Sequence, residues 1–189
     1  MNPEKVPLKD LTVLGFWSHK PSRYPADRQW FACFSNWYPC SFKLKLKQGH
    51  EDKDHDDGVE YTYNCVEQLM MHAKALRYGD KDIADLILKE TDPAKMKDLG
   101  RRVKNYNDRD WGKVRYAIVT RSLKAKFQQN PDLKAHLMKT EGKIVAEASA
   151  SDLIWGIGLA PSDPKTQDPT QWRGTNLLGN GLMEVRNGF

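Results

Sequence analysis

Residues 61–78 read YTYNCVEQLMMHAKALRY, and this stretch predicts the helix against which the other elements of the chain would pack. Asn64 is expected to cap its N-terminus, because an asparagine side chain accepts hydrogen bonds from the first backbone N–H groups. At 100° per residue, the apolar side chains fall on one stripe, which consists of Val66, Leu69, Met70, Ala73 and Leu76. The stretch is therefore predicted to be an amphipathic helix.

Two charged side chains lie together at the edge of this stripe. Glu67 and Lys74 are two helical turns apart, so roughly 10 Å separates their Cα atoms. Two long side chains that lean towards each other can span that gap around one small group, such as a sugar carbon. Groups at the rim of a core are partly desolvated, which is where pKa values shift. The alternative interpretation is an ordinary boundary pair whose aliphatic stems cover apolar surface.

The composition is that of a soluble globular protein. The chain has 189 residues, and we predict one domain over 1–189. No segment approaches the ~20 apolar residues of a membrane span, and the first ten residues lack the apolar run of a signal peptide. Cys33, Cys40 and Cys65 form no CxxC pair, which argues against a disulfide framework or a zinc site. We expect a reducing compartment, either cytoplasmic or, in a eukaryote, nuclear.

Positive charge favours anionic partners such as phosphates or nucleic acid. There are 30 basic and 25 acidic residues, a net charge of +5, and the sequence pI is near 9.0. Several cations are concentrated in the loop 18–30, namely His19, Lys20, Arg23 and Arg28. Such a loop can clamp phosphates. An equally weighted alternative is a solvated connection.

Aromatic and small polar residues alternate in segment 34–39, FSNWYP. Phe34 and Trp37 beside Ser35 and Asn36 suit a nucleobase or a ribose, one stacked and the other hydrogen-bonded. The alternative is that the aromatic rings belong to the core.

The remaining pattern predicts an α+β fold, a single helix-rich compact domain with a small antiparallel sheet. The predicted strands are 11–17, 42–47, 59–63 and 143–148. The further helices are predicted over 80–90, 93–100, 110–129 and from 176 onwards. In the helix over 80–90, we expect Ile83, Leu86 and Ile87 to face inward. The hydrophilic hairpin tip 48–58 matches neither an EF-hand loop nor an HExxH helix, so we interpret it as a turn instead of a metal site.

A glycine-flanked segment follows the last strand. Gly156 and Gly158 flank Ile157, and glycine allows a ligand to approach the backbone closely. Asp152 and Trp155 are expected near the same place.

Taken together, these blocks resemble the NADAR family, also described as YbiA-like, over about residues 30–187. The resemblance is carried in order by 34–39 with Phe42, 66–68 with 73–75, 100–101, Trp111 with Val114, 126–127, 147–149 with Asp152, 155–158, and 176–179 with Leu182, Met183 and Arg186. The chain departs from the family pattern in its Lys/Asp-rich hairpin and in the loop 160–175.

The resemblance implies cleavage of a bond between an anomeric ribose carbon and nitrogen. Some relatives resemble N-glycosidases that split ribosylamino intermediates of riboflavin synthesis, and others remove ADP-ribose from guanine bases of nucleic acid or nucleotides. We predict the second activity because of the positive charge and the cationic loop. Partners would then be ADP-ribose-containing or phosphoribosyl substrates, including DNA or RNA with ADP-ribosylated guanine, without a membrane, a cofactor or a metal.

The hypothesis for the site assigns a role to each candidate residue. Glu67 acts as general acid/base, and Lys74 acts either as an amine nucleophile that forms a Schiff base or as an orienting group. Asp152 would stabilise the developing cation or hold a ribose hydroxyl. Candidates for stacking are Trp37, Trp111 and Trp155; those for polar contacts are Ser35, Asn36 and Asn176; those for phosphates are Arg23, Arg28 and Arg101. A module that binds ADP-ribose or nucleotides without hydrolysis is the alternative from another class.

Overall fold

The computed structural model of the protein describes residues 2–47 and 58–189. The predicted turn and its metal alternative at 48–58 fall almost wholly on 48–57, outside the described residues. The chain divides into two compact units. We call Pro39–Pro131 the central unit, and Met1–Tyr38 with Asp132–Phe189 the terminal unit.

The regular elements alternate short strands with helices. The strands are β1 (Val13–Phe16), β2 (Phe42–Leu46), β3 (Val59–Tyr63) and β4 (Ile144–Glu147). The α-helices are α1 (Val66–Arg77), α2 (Lys81–Lys89), α3 (Pro93–Arg101), α4 (Asp108–Gln129), α5 (Pro131–Met138) and α6 (Leu177–Asn187). The 3₁₀-helices are Pro3–Lys5, Leu8–Asp10, Pro21–Arg23, Ala26–Phe34, Pro164–Gln167 and Pro169–Gln171. The predicted helix-rich α+β class is confirmed.

The strands form two separate pairs within the described residues, where we predicted one antiparallel sheet. In the central unit, β2 pairs with β3 antiparallel, with Phe42 opposite Tyr63. In the terminal unit, β1 pairs with β4 parallel, with Val13 opposite Ile144. Alternation within a strand of four residues reports which side is buried and not which strand is its partner, so the sequence pattern could not reveal the parallel pair.

In the central unit, α1 packs against α2, α3 and α4. Residues 66–75 of α1 are all buried, including the polar ones, so the helix is enclosed and is not the half-exposed amphipathic helix that we predicted. A helix with neighbours on several sides has no water-facing stripe.

The start of α1 differs from the expected cap. Cys65 is the N-cap residue and makes no side-chain capping bond. The Asn64 side chain instead donates to the Glu90 carbonyl, while its backbone N–H is bound by Gln68 Oε1 at 2.9 Å. Gln68 also donates to the Ile87 carbonyl at 3.0 Å. A buried glutamine therefore satisfies the helix start and links it to the end of α2.

Two other predictions meet opposite outcomes. Asp92 accepts from Ala94 N–H ahead of the first helical residue of α3, Pro93, so the predicted helix start is confirmed. Leu86 is 46% exposed, so its predicted inward orientation is wrong. The buried side of α2 consists of Ile83, Ala84 and Ile87, and Leu86 lies about 100° around the helix from the centre of that side, towards water.

The terminal unit has its own apolar cluster, formed by Val13, Ala146, Ala148, Ile157 and Leu159. The 3₁₀-helix Ala26–Phe34 adds a ring cluster in which Phe34 lies 5.9 Å from Phe16 and 5.8 Å from Trp30 between ring centroids. In the part of the chain that the structure describes, no helix is long and apolar enough to cross a bilayer.

Candidate active site

Glu67 and Lys74 lie on one side of α1, since seven residues correspond to almost two full turns. Their exposed fractions are 4% and 8%, so both are buried more deeply than the rim position that the pattern predicted. Ionisable side chains are seldom buried to this degree without specific partners.

The amine of Lys74 has one neighbour in the last turn of α3 and another in the segment that follows α3. Lys74 Nζ donates to the Gly100 carbonyl at 2.7 Å. It also lies 3.8 Å from the ring centroid of Tyr106, a cation–π distance. Burial lowers the pKa of Lys74, and the negative charges of Asp108 and Glu67 oppose that shift. A lysine with a lowered pKa has a larger neutral, nucleophilic fraction near neutral pH.

Gly100 allows α3 to approach α1 closely. A Cβ at this position would collide with the Sδ of Met71 on α1. The absence of a side chain at Gly100 therefore permits the approach that brings its carbonyl to Lys74.

An ion-pair network fixes the segment that carries Tyr106. Arg77 at the end of α1 makes a bidentate pair with Asp110, at 2.8 and 3.1 Å. The Tyr78 hydroxyl donates to the Asn107 carbonyl and to Asp110 Oδ2, both at 2.9 Å. The hydroxyl of Tyr106 donates to Asp108 Oδ1 at 2.7 Å. The start of α4 is thereby held against the end of α1.

The other predicted residues of the central unit lie in different surroundings. Arg101 is exposed and pairs with Asp98 at 2.8 Å. Trp111 is 5% exposed in the first turn of α4. Their roles in binding phosphate and base stay predictions.

Sequence reasoning missed two cations of α4. Lys126 is fully buried, and its charge acts against the burial that raises the pKa of Cys40 and of Cys65. The guanidinium of Arg121 similarly opposes the raised pKa of Tyr63. A signal was present for Lys126, because block 126–127 is one of those that carry the family resemblance.

His72 faces away from Glu67 and Lys74, about 150° around α1. Its Nδ1 is hydrogen-bonded to the hydroxyl of Tyr63 at 2.8 Å. Burial lowers the pKa of His72 to about 4, so the imidazole is neutral at physiological pH. This arrangement fills the protein interior and brings no charge to the candidate site.

In the terminal unit, residues 35–38 form a turn after the 3₁₀-helix Ala26–Phe34. Ser35 Oγ accepts from Trp37 N–H at 3.2 Å, and Trp37 lies 5.7 Å from His19 between ring centroids. Asn36 is 6% exposed, and its Oδ1 accepts no hydrogen bond within residues 2–47 and 58–189. A buried amide oxygen without a donor is costly, which favours a ligand contact at Asn36. Phe34 is fully buried among other rings.

Residues 152–158 and 173–178 form one neighbourhood of backbone hydrogen bonds. Asp152 Oδ1 accepts from the N–H groups of Ile154 at 2.9 Å and of Trp155 at 2.7 Å, so its carboxylate caps the turn. Asn176 N–H donates to the Gly156 carbonyl at 3.1 Å. A Cβ on Gly156 would meet the Asp152 and Glu147 carbonyls at 2.9 and 3.0 Å. The close approach at Gly156 is therefore made by the protein's own backbone.

Asn176 ties this neighbourhood to β4. It has a left-handed backbone, with φ 52°, and is 1% exposed. Its Nδ2 donates to the Val145 carbonyl at 3.0 Å, and its Oδ1 accepts from Glu147 N–H at 3.1 Å. These bonds occupy both ends of its amide.

The two predicted arginines of the cationic loop separate. Arg28 is 5% exposed and donates through Nη1 to the Pro3 carbonyl at 2.8 Å and through Nη2 to the Val6 carbonyl. Arg23 ends an exposed 3₁₀ turn. Both remain predicted phosphate ligands, and of the two only Arg23 presents its side chain to solvent.

Comparison with known proteins agrees with the resemblance found in the sequence. The model of the NADAR domain family matches residues 16–189, and the chain belongs to this family. It is 42% identical over 154 residues to N-glycosidase R617 of Acanthamoeba polyphaga mimivirus, covering 81% of this chain and 85% of that protein. It is 40% identical over 158 residues to protein irg-1 of Caenorhabditis elegans, covering 82% and 74%.

A solved structure has the same fold. The NMR structure of the E. coli protein YbiA superposes with a TM-score of 0.66 at 22% identity, covering 94% of this chain and 84% of that chain.

Proposed function

We propose that this chain is an N-glycosidase that removes ADP-ribose from guanine bases, with Lys74 as nucleophile and Glu67 as general acid/base. The observation that carries the proposal is a carboxylate and an amine buried on one side of α1, in a family with a relative named N-glycosidase. A binding module would need aromatic and cationic groups but would not need this pair.

The lowered pKa of Lys74 supports the nucleophilic role. When the ribose ring opens, O4 takes a proton from the Glu67 carboxyl and C1 becomes an iminium carbon joined to the base nitrogen. The neutral amine adds to C1, and Glu67 accepts the proton that the amine loses. Glu67 then returns a proton to the departing nitrogen, which leaves with the C1–N electron pair. The product of this half-reaction is a Schiff base between C1 and Lys74.

Water completes the reaction. It adds to the Schiff-base carbon while Glu67 accepts its proton, and the Lys74 amine leaves as the sugar regains its carbonyl and closes its ring. The net change consumes one water, replaces the C1–N bond by a C1–O bond and adds one hydrogen to the base nitrogen.

The choice of substrate rests on charge. The net charge of +5 and the exposed cations Lys20 and Arg23 favour a substrate with two phosphates. Arg28 adds little to this preference, because its guanidinium is bound to backbone carbonyls.

A side-by-side assay tests the proposal. ADP-ribosylated guanosine, DNA with ADP-ribosylated guanine and a ribosylaminopyrimidine phosphate are incubated separately with the protein, and the products are identified by mass spectrometry. Free ADP-ribose and unmodified guanine are expected from the first two. Release of ribose phosphate from the third alone would indicate the riboflavin-type activity, and binding without any cleavage would indicate the module.

A further inference from the structure

We propose that Tyr106 and Asp108 are positioning residues that hold the Lys74 ammonium and set the pH at which it loses its proton. The inference rests on the proposed function for its catalytic meaning. It concerns residues to which sequence reasoning gave no role.

The geometry is a clamp with two sides. The Gly100 carbonyl accepts a hydrogen bond from Lys74 Nζ at 2.7 Å, and the face of Tyr106 lies 3.8 Å from the same atom. Both contacts are stronger for the charged ammonium, because a neutral amine offers the ring no cation and the carbonyl a weaker donor. The clamp therefore favours the protonated form, whereas burial favours the neutral one.

Asp108 acts both on the Tyr106 side of the clamp and on the Lys74 ammonium that the clamp holds. Its Oδ1 accepts the Tyr106 hydroxyl at 2.7 Å, which fixes the ring, and its charge attracts the Lys74 ammonium. Partial burial and the neighbouring Asp108 carboxylate raise the pKa of Tyr106 to about 12, so the phenol stays a donor at physiological pH.

The charged and dipolar groups that face Lys74 come from three helices. Glu67 faces it from α1 itself, Asp108 from the first turn of α4, and the Gly100 carbonyl from α3. All three favour the ammonium, so the lowered pKa of Lys74 is the balance between burial and this set. Removal of one member at constant burial moves the balance towards the neutral amine.

Tyr106 is 40% exposed, whereas Lys74 is 8% exposed, so the residue whose ring contacts the amine also contacts solvent. A nucleophilic attack by Lys74 requires the amine to leave the Gly100 carbonyl and the ring, so the clamp holds the resting state and is released on deprotonation.

Direct titration of Lys74 tests the inference. The ¹³Cε resonances of ¹³C-lysine-labelled protein are followed against pH, and the Lys74 signal is assigned by its loss in Lys74→Arg. Tyr106→Leu removes the π face and retains apolar cover, so the Lys74 pKa should fall by about one unit. Asp108→Asn keeps an acceptor for the phenol but removes the charge, so the Lys74 pKa should also fall in this variant. Tyr106→Phe, the comparison variant, keeps the ring but loses the hydroxyl that binds Asp108, so its Lys74 pKa should fall less than in Tyr106→Leu.

The pH profile of turnover provides the second readout. In Tyr106→Leu the acid limb of kcat/KM should move to lower pH together with the Lys74 titration. An unchanged Lys74 pKa in folded Tyr106→Leu and Asp108→Asn would overturn the clamp. Shifted titrations in a protein without glycosidase activity would leave the clamp standing and refute the proposed function. Unshifted titrations in an enzyme that requires Lys74 would refute the clamp and leave the proposed function standing.

Discussion

Buried polar side chains serve two different purposes in the central and terminal units. On α1, Glu67 and Lys74 are buried on one side, and the Lys74 amine meets a carbonyl and an aromatic ring. In the terminal unit, the buried Asn176 and the half-buried Asp152 hydrogen-bond to backbone groups of β4 and of the turn that begins at Asp152. In the proposed function, the first arrangement keeps reactive groups at a site, whereas the second holds loops in place. Burial of a predicted site residue therefore does not by itself identify chemistry.

The largest expected effect is on turnover when the α1 pair is changed. Lys74→Ala and Glu67→Gln should each reduce kcat by at least ~10²-fold, because each removes a proton-transfer or nucleophilic group. The thermal transition of both variants is measured in parallel to show that they fold. Lys124→Ala, an exposed lysine on α4, is the matched control and should retain wild-type turnover. If both variants fold and keep a near wild-type kcat, the α1 pair has no catalytic role and does not differ in purpose from the polar side chains of the terminal unit.

The next effect is on stability, and it separates His72 from the acid/base pair. The pKa of His72 is about 4 in the folded protein and 6.5 when unperturbed, so the unfolded state binds the proton more readily. Stability should therefore be complete above pH 6.5 and decline as pH falls towards 4. By linkage, the loss at pH 4 is about 3 kcal/mol.

Urea unfolding at several pH values measures this dependence, with His72→Gln as the comparison. The variant should lose stability at pH 7, since it lacks the packed imidazole, and should show a flatter profile between pH 4 and 6.5. An equally steep profile in His72→Gln would assign the acid sensitivity to other groups.

Asn176 should affect the fold more than the chemistry. Asn176→Ala removes two buried hydrogen bonds and leaves the Val145 carbonyl and Glu147 N–H unsatisfied, at a cost of roughly 2–4 kcal/mol. Asn176→Gly loses the same bonds but suits the left-handed backbone, so it should be the less damaged variant. Differential scanning calorimetry measures the order of stability among wild type, Asn176→Gly and Asn176→Ala. Unchanged stability together with lost turnover would move Asn176 into the binding site.

Asp152 gives the smallest and most discriminating effect. Asp152→Asn retains the Oδ1 acceptor for Ile154 and Trp155 N–H, so its stability should stay near that of wild type. Asp152→Ala removes the cap and should cost about 1 kcal/mol. If capping is the main role, kcat in Asp152→Asn should fall less than ~10-fold, well below the loss expected for an acid/base group. A loss comparable to that of Lys74→Ala would show that the charge acts in catalysis.

Much of the architecture follows from local patterns. The helix containing Glu67 and Lys74, the Asp92-Pro93 start of α3 and the β2–β3 hairpin are all readable from periodicity and capping preferences. The parallel β1–β4 pair was not predictable, because its strands are separated by most of the chain and carry no turn signal. The exposed Leu86 shows that a residue at the margin of an apolar stripe follows tertiary packing.

The shared side of the candidate pair was predictable from the sequence, whereas its burial and its surroundings were not. That Glu67 and Lys74 lie on one side of α1 could be derived from 100° steps alone. Tyr106 could not be linked to Lys74 in the same way, because its placement depends on the Asp110 pair and on the side chain that Gly100 lacks. Arg28 illustrates the converse, since the sequence shows a cation in a polar loop but does not show whether it points outward or binds backbone carbonyls.

The most direct test asks whether the Lys74 amine becomes bonded to the sugar. The enzyme is mixed with ADP-ribosylated guanosine during turnover, reduced with borohydride, digested and mapped by mass spectrometry. We predict a stable adduct of the ADP-ribosyl group on Lys74, absent from Lys74→Ala and from protein reduced without substrate. Complete conversion of substrate with Lys74 unmodified, or an adduct on another lysine, would contradict the account.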